Sequence, residues 1–164
     1  MKLMIGLDMG EHCGFAVKEY HRNYEKLISL ETFSFWDCVA KVSHIFDQNE
    51  TNPKYESVMV VIEDVTQNKP VFGLEDIYKK TIGNHFSKLS VIAKIGQNVG
   101  SVKEKTRLMI NYCEDSDYPT HLVVPHKGGT TKKTALFLKQ LTGWDAKTDE
   151  HQIDAAMMIW GLNK

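Results

Sequence analysis

The sequence predicts an α/β domain built on a five-stranded mixed β-sheet that carries α-helices on both faces. Three strand-like segments follow one another at the start of the chain, and strands then alternate with helices. Two of the strands are continuous apolar runs that end on a carboxylate, as in strands buried on both faces. No repeat or linker interrupts this pattern, so residues 1–164 are expected to form a single domain.

The first apolar run predicts a buried strand over residues 3–9, followed by a tight turn and a second strand that runs back. The apolar run stops at Asp8, so this carboxylate can stay near solvent while the sheet holds its backbone. Gly10 and Gly14 allow the chain to bend sharply and allow another group to approach the backbone closely. A carboxylate on such a rigid platform is well placed to hold a metal ion.

A third strand is predicted around residues 27–35, where β-type residues alternate imperfectly. Ser34 or Asp37 is expected to cap the first helix, which carries an apolar face. A polar turn with Pro53 then leads to the second buried strand, residues 57–64, which ends on two carboxylates.

The second half of the chain alternates helices with one short strand. We expect a loop over residues 65–74, a helix to about residue 95, a glycine-containing link at 96–100 and a second helix to about 113. The remaining predicted elements are a strand at 121–124, a basic loop at 126–131, a helix at 132–141 and a last helix at 149–160 with Gly161 as its C-cap.

The composition is that of an ordinary globular protein, with 42% hydrophobic and 25% charged residues. No apolar run approaches the length of a membrane span, and the N-terminus lacks a signal-peptide pattern. The three cysteines are separated in sequence, which argues against a zinc cage or a disulfide framework. These features predict a cytoplasmic protein that does not enter a membrane.

The net charge of −1 hides an asymmetry along the chain. Residues 69–147 carry 13 Lys or Arg and 7 Asp or Glu, a balance of +6, whereas the remainder has a balance of −7. One interpretation is that the extra lysines only solvate helix faces. The other is a basic surface for phosphates beside an acidic pocket for cations.

Four ligand-type residues stand out: Asp8, Glu63, His151 and Asp154. His151 and Asp154 lie three residues apart, so both project from one face of the last helix. If the first and fourth strands are neighbours, Asp8 and Glu63 converge at adjacent strand ends below this helix. Three of these residues also have an ordinary alternative, since Asp8 can be a turn former or a helix cap, Glu63 a solvated strand end and His151 an exposed residue.

Carboxylates brought this close together repel one another unless cations neutralise them. Oxygen ligands favour Mg²⁺, or Mn²⁺ in its place. Two such ions about 4 Å apart clamp the in-line attack of water on a phosphodiester. The sequence therefore predicts a two-metal site without any organic cofactor.

Taken in order, these segments resemble the RuvC Holliday-junction resolvases of the RNase H-like and retroviral-integrase superfamily, in particular their short phage-type members. Residues 5–10 are similar to the first-strand motif, although Met9 stands where the family usually has Pro. Residues 61–63 resemble the fourth-strand glutamate motif, residues 94–100 a lysine-glycine-glutamine segment, and residues 151–156 the closing motif. The resemblance covers nearly the whole chain.

The resemblance implies an RNase H-like fold and a homodimer that cuts two opposed strands of a four-way DNA junction with Mg²⁺. By position, Asp8, Glu63, His151 and Asp154 would form the metal-binding and catalytic set. The family also places a basic residue near the basic loop, where it stabilises the developing phosphate charge. Lys132 and Lys133 both match that place, with an ordinary phosphate contact as the alternative role.

The resemblance further implies that the loop after the fourth strand reaches toward the junction. Phe72 is the candidate for stacking on bases, or else it packs this loop onto the next helix. The candidate phosphate contacts are Lys69, Lys79, Lys80 and Lys127.

Other functions remain open at this level. Another RNase H-like nuclease acting on branched DNA or RNA, including a YqgF-like one, has the same fold. A junction-binding protein that has lost cleavage is the alternative from a different class. Actin-type ATPases share the Asp-x-Gly turn but need two subdomains, for which this chain is too short.

Overall fold

The computed structural model describes residues 1–22, 24–67, 79, 85–124 and 134–162. Within these ranges, the strands are β1 (Lys2–Met9), β2 (Cys13–His21), β3 (Tyr24–Phe33), β4 (Ser57–Glu63) and β5 (Thr120–Val123). The helices are α1 (Phe35–Thr51), α2 (His85–Asp115), α3 (Ala135–Thr142) and α4 (Glu150–Ile159), with a short 3₁₀ turn at Val65–Gln67.

The five strands form one mixed sheet in the order β3-β2-β1-β4-β5. β2 runs antiparallel to both β1 and β3, whereas β4 runs parallel to both β1 and β5. The first and fourth strands are therefore neighbours, as predicted. This arrangement confirms the predicted α/β class with a five-stranded mixed sheet.

Helices cover both faces of the sheet. On one face, α1 and α2 bury Val42 and Met109 against apolar residues of β1, β2 and β4. On the other face, α3 and α4 bury Leu138 and Ile159 against the same strands. The continuous apolar run of β4 is explained by this double coverage, because its alternate side chains enter two different cores.

At two helix starts, a side-chain oxygen accepts a hydrogen bond from a backbone N–H group that has no partner within the helix. Ser34, rather than Asp37, caps α1 and accepts from the Asp37 N–H. Thr134 caps α3 and accepts from the Phe137 N–H. The helix therefore begins at Ala135, three residues after the predicted start at about residue 132.

The last helix ends one residue earlier than predicted. Trp160 is the C-cap, and Gly161 follows it with a φ of 75° in the left-handed region that glycine favours.

The prediction of a break at residues 96–100 was wrong, since α2 continues through Gly96 and Gly100. The half-buried and buried residues of α2 recur at helical spacing across both glycines. These positions are Ile92, Ile95, Val99, Val102, Thr106, Met109 and Cys113. A continuous stripe that ends in the core outweighs the low helix propensity of two exposed glycines.

Among the described residues, no helix has the length and apolar character needed to cross a membrane.

Candidate functional site

The candidate site begins where β1 and β4 end side by side. Leu7 pairs with Ile62 in the parallel register, so the next residues, Asp8 and Glu63, emerge as neighbours at one edge of the sheet. Side chains alternate along a strand, so Asp8 shares a face with Gly6, and Glu63 shares one with Val61. Gly6 and Val61 both face α4. Both carboxylates therefore belong to the face that α4 covers.

Helix α4 lies directly on this face because two glycines leave room for its backbone. A Cβ atom on Gly14 would lie 2.0 Å from the carbonyl oxygen of His151. A Cβ atom on Gly6 would lie 2.4 Å from the carbonyl oxygen of Ala155. These distances are shorter than any van der Waals contact, so only glycine permits this approach at either position. The close approach carries the first turn of α4 to the end of β1.

The contact at the centre of the site joins Asp8 to His151. The Oδ2 atom of Asp8 and the Nδ1 atom of His151 lie 2.9 Å apart, and both side chains are half-buried. His151 is thus neither exposed nor distant from the strand carboxylate. Asp8 is held within a strand rather than at a helix cap.

Burial is the largest influence on the pKa of Asp8 and raises it, while the hydrogen bond and charge of His151 oppose this rise. The negative charges of Glu150 and Asp149 raise the pKa of Asp8 further. For His151, burial lowers the pKa, but the hydrogen bond and charge of Asp8 outweigh burial, so the pKa is raised. The negative charges around the site therefore favour the protonated, positively charged form of the imidazole.

Asp149 fixes the position of α4 over the sheet. Its Oδ1 atom accepts from the Gln152 N–H at 2.9 Å, and the Gln152 side chain accepts from the Asp149 N–H at 3.2 Å, which completes a capping box. Its Oδ2 atom accepts from the Thr32 hydroxyl of β3 at 2.5 Å. Asp149 is the first residue of the predicted last helix at 149–160, but nothing in the sequence identified Thr32 as its partner.

Thr32, Gly14 and Asp8 are cross-strand neighbours on β3, β2 and β1. They form one row across the sheet, and the first turn of α4 contacts all three. Glu63 continues the row on β4. Because the first turn of α4 rests on this row, His151 comes within hydrogen-bond distance of Asp8.

Lys105 of α2 approaches the site from the opposite face, and sequence reasoning missed it. Its ammonium group donates to the carbonyl oxygens of Gly10 at 3.3 Å and Glu11 at 2.9 Å. These carbonyls belong to the turn that follows Asp8. Only the helical spacing of α2 and the position of the turn bring them together, so no local sequence signal identifies this lysine.

The two carboxylates that end β4 differ in their surroundings. Asp64 is buried and accepts from the Thr66 N–H at 3.0 Å, the Thr66 hydroxyl at 2.5 Å and the Gln67 amide at 2.6 Å. Burial raises the pKa of Asp64, but these hydrogen bonds outweigh it and the pKa is lowered. Asp64 therefore stabilises the turn after β4, which leaves Glu63 as the half-buried carboxylate on the α4 face.

Asp154 lies on α4 three residues after His151 and is half-buried. The donor atoms of the four predicted ligands, carboxylate oxygens and an imidazole nitrogen, suit Mg²⁺ or Mn²⁺. In the described part of the chain, however, no three His, Cys, Asp or Glu side chains are grouped as a metal site. The donor types fit a divalent ion, while the contact that the structure contains is the Asp8–His151 pair.

Lys79, the one described residue of the predicted phosphate contacts, is exposed. The others lie outside the described residues: Lys69, Phe72, Lys80, Lys127, and the candidate catalytic pair Lys132 and Lys133.

No protein-family model matches the chain, and no curated protein matches it. A solved structure that the chain is similar to is the Fowlpox virus resolvase in complex with Holliday junction DNA. The two chains are 19% identical and superpose with a TM-score of 0.35. The match covers 79% of this chain, which spans 65% of the length of the resolvase chain.

Proposed function

We propose that this protein is a divalent-metal-dependent nuclease of the RuvC type that hydrolyses phosphodiester bonds in four-way DNA junctions. The observation that carries the proposal is the contact between Asp8 and His151 at the end of β1, with Glu63 next in the same row. Asp8 and His151 come from distant parts of the chain and make contact at one sheet edge, where Glu63 ends the neighbouring strand. A fold gains no stability from burying like charges together, so a cation or a reaction is the better reason for the arrangement.

In this proposal, Asp8, Glu63, His151 and Asp154 hold two Mg²⁺ ions, for which Mn²⁺ can substitute. When bound, the ions stabilise the negative charge that develops on the phosphate during hydrolysis. The hydrogen bond and the charge of Asp8 raise the pKa of His151. Metal binding would require both the imidazole nitrogen and the carboxylate oxygen to be free of protons.

The charges of the neighbouring parts of the chain suit a nucleic-acid substrate. Residues 69–147 carry a balance of +6, which attracts phosphates, while the site itself is acidic. We propose further that Lys132 or Lys133 contacts the phosphate under attack and that the other basic residues bind the backbone. A homodimer would place two such sites on opposed strands of one junction.

The test is cleavage of labelled DNA by the purified protein with Mg²⁺ and, separately, with a chelator. The substrates are a mobile junction, a fixed junction, a duplex and an RNA–DNA hybrid. We expect Mg²⁺-dependent cutting of the junctions and little cutting of the duplex. Cutting of the hybrid instead would assign the protein to the ribonucleases of this fold, and junction binding without any cutting would identify an inactive binding protein.

Matched variants separate the site from general effects of charge. Asp8→Asn and Glu63→Gln are expected to lower the cleavage rate at least 100-fold. Glu56→Gln is the control, because Glu56 is an exposed glutamate at the opposite end of β4. Equal loss in Glu56→Gln and Glu63→Gln would refute the assignment of Glu63.

Asp154→Asn is expected to abolish cutting and to retain junction binding. Binding is measured in chelator by fluorescence anisotropy of a labelled junction. Unchanged cutting by this variant would remove Asp154 from the site.

A further inference from the structure

An exposed tryptophan lies at the same end of the sheet as the candidate site. Trp36 is the second residue of α1, and its side chain is 73% exposed, more than any other aromatic in the described part of the chain. Its flat ring is therefore available to a partner. Most other aromatic side chains near it, such as Phe15 and Phe33, pack into the core.

The sheet topology fixes where Trp36 lies relative to Asp8. β3 and β1 both run antiparallel to β2, so they end at the same edge. Phe33 at the end of β3 pairs with Cys13, which pairs with Met9 beside Asp8. Two strand spacings separate these ends, about 10 Å. Helix α1 begins immediately after β3 and packs on the face opposite α4, so Trp36 lies near the edge of the sheet at which Asp8 emerges.

The helix cap and a neighbouring ring restrict the position of the indole. Ser34 caps the first turn of α1, which fixes the backbone of Trp36. The ring of Phe35, itself packed against the core, makes an edge contact with the indole, with ring centroids 5.0 Å apart. A rigid aromatic loses little conformational entropy when it binds a flat partner.

A cation lies on the same side of this edge. Lys105 of α2 donates to the carbonyl oxygens of Gly10 and Glu11, in the turn after Asp8. Helices α1 and α2 pack on the same face of the sheet, so Trp36 and Lys105 belong to helices on one side of this edge. An exposed aromatic and a lysine are the combination that binds single-stranded nucleic acids, with a base on the ring and phosphates near the cation.

We propose that Trp36 stacks on an unpaired base of the nucleic acid whose backbone occupies the Asp8 site. This inference rests on the proposed nuclease function and adds a second contact on the strand. Stacking accepts any base, so Trp36 contributes affinity and position without sequence preference. The surface formed by Trp36 and Lys105 would guide an unpaired strand from Trp36 to the carboxylates.

The experiment measures binding in chelator, so that no cutting occurs. A labelled four-way junction and a labelled single strand are titrated with the wild type, Trp36→Ala, Trp36→Phe and Tyr24→Ala. Tyr24 is the matched control, because it is an exposed aromatic at the opposite end of β3. Thermal unfolding of each variant checks that the exposed substitutions leave the fold intact.

We expect Trp36→Ala to raise the Kd for the single strand about 5- to 150-fold, the range for loss of one stacked base. Trp36→Phe should retain most of the affinity, and Tyr24→Ala should match the wild type. The part of the fluorescence quenching that comes from Trp36 should disappear in Trp36→Phe, which retains Trp144 and Trp160. The dependence of Kd on salt should not change, since no charge is removed.

Wild-type binding and cutting with an unchanged Kd in Trp36→Ala would overturn this inference and leave the proposed function standing. Equal weakening by Tyr24→Ala would overturn it as well. If Trp36→Ala instead dissociates a dimer with no change in the Kd of the single strand, the ring serves a protein interface and the inference is wrong. A wild type that neither binds nor cuts nucleic acid would overturn both proposals.

Discussion

The pairing of Asp8 with His151 shows how one residue depends on its neighbours for its chemistry. Burial raises the pKa of Asp8, and the same carboxylate, together with Asp149 and Glu150, raises the pKa of His151 against burial. Each group makes the ionised form of the other more favourable at neutral pH. The hydrogen bond between them therefore opposes the effect of burial on the pKa of each group.

Glu19 provides a test of electrostatics far from the site. Its carboxylate accepts from the Lys54 ammonium at 2.8 Å and the Tyr55 hydroxyl at 2.5 Å, and these hydrogen bonds lower its pKa. A lowered pKa stabilises the fold above the unfolded value of 4.5, and this stability is lost as pH falls through the folded pKa. We expect Glu19→Gln to lower the free energy of unfolding by about 1 kcal/mol at neutral pH.

The measurement is urea unfolding of the wild type and Glu19→Gln at about pH 7 and about pH 3. The difference between the two proteins should shrink toward zero at the lower pH, where Glu19 is protonated. A difference that stays constant with pH would show that packing, rather than the charge of Glu19, is responsible.

Lys105 is expected to act as a positioning residue for Asp8. In Lys105→Met, the carbonyls of Gly10 and Glu11 lose their donor, so the turn after Asp8 is held less firmly. We expect the Mg²⁺ concentration for half-maximal junction cleavage to rise about tenfold, the lower range for loss of such supporting contacts. Lys105→Arg should restore part of the activity.

Arg107→Met is the control for Lys105→Met, since it removes one positive charge from the same helix without touching the turn. A similar rise in the Mg²⁺ requirement in both variants would indicate a general effect of charge and would exclude positioning by Lys105.

At the scale of elements, helix α4 and strands β1 and β2 act as one unit. The first turn of α4 rests on the row Thr32, Gly14 and Asp8, and no side chain fits between the helix and Gly14. The capping box and the glycine contacts thus both decide where His151 lies. Helix α2 contributes differently, because its side chains from Leu89 to Gly100 are largely exposed and its second half enters the core.

Glycine substitutions distinguish the close packing of α4 on the sheet from the exposed part of α2. In Gly14→Ala, the new Cβ meets the backbone of His151, which cannot move without shifting α4, so we expect a loss of about 3 kcal/mol. In Gly96→Ala, the Cβ meets nothing within 4 Å on an exposed helix, so we expect a gain of about 0.5–1 kcal/mol. Urea unfolding measures both, and a Gly14→Ala protein of wild-type stability would contradict the close approach of α4.

At the scale of the whole molecule, the nearly neutral net charge conceals an acidic site and a basic central segment. Most of the candidate phosphate contacts lie in this segment. Junction affinity in chelator should therefore fall steeply as salt rises, because bound phosphates release counterions. Replacing both Lys132 and Lys133 by Gln should reduce the slope of log K against log salt by about 1–2.

The slope is obtained from anisotropy titrations at a series of salt concentrations. Asp115→Asn, an exposed change on α2 that removes a negative charge, is the control and should leave the slope unchanged. A binding constant that does not respond to ionic strength would contradict the prediction of a basic binding surface.

Much of this molecule follows from local sequence. The apolar runs that end at Asp8 and Glu63 predicted two buried strands, and both strands form as neighbours. Ser34 and Asp149 were recognised as residues at helix starts, because a cap depends only on nearby backbone groups. The helical spacing of His151 and Asp154 was likewise available from sequence.

Tertiary structure decided the rest, since contacts between distant residues depend on strand register and helix packing. The Thr32–Asp149 hydrogen bond joins residues 117 positions apart, and Lys105 reaches a turn 95 residues away. The continuity of α2 through its glycines also depends on the stripe that it packs into the core. Local patterns thus determined which side chains end the strands, while register and close packing of α4 determined that Asp8 meets His151.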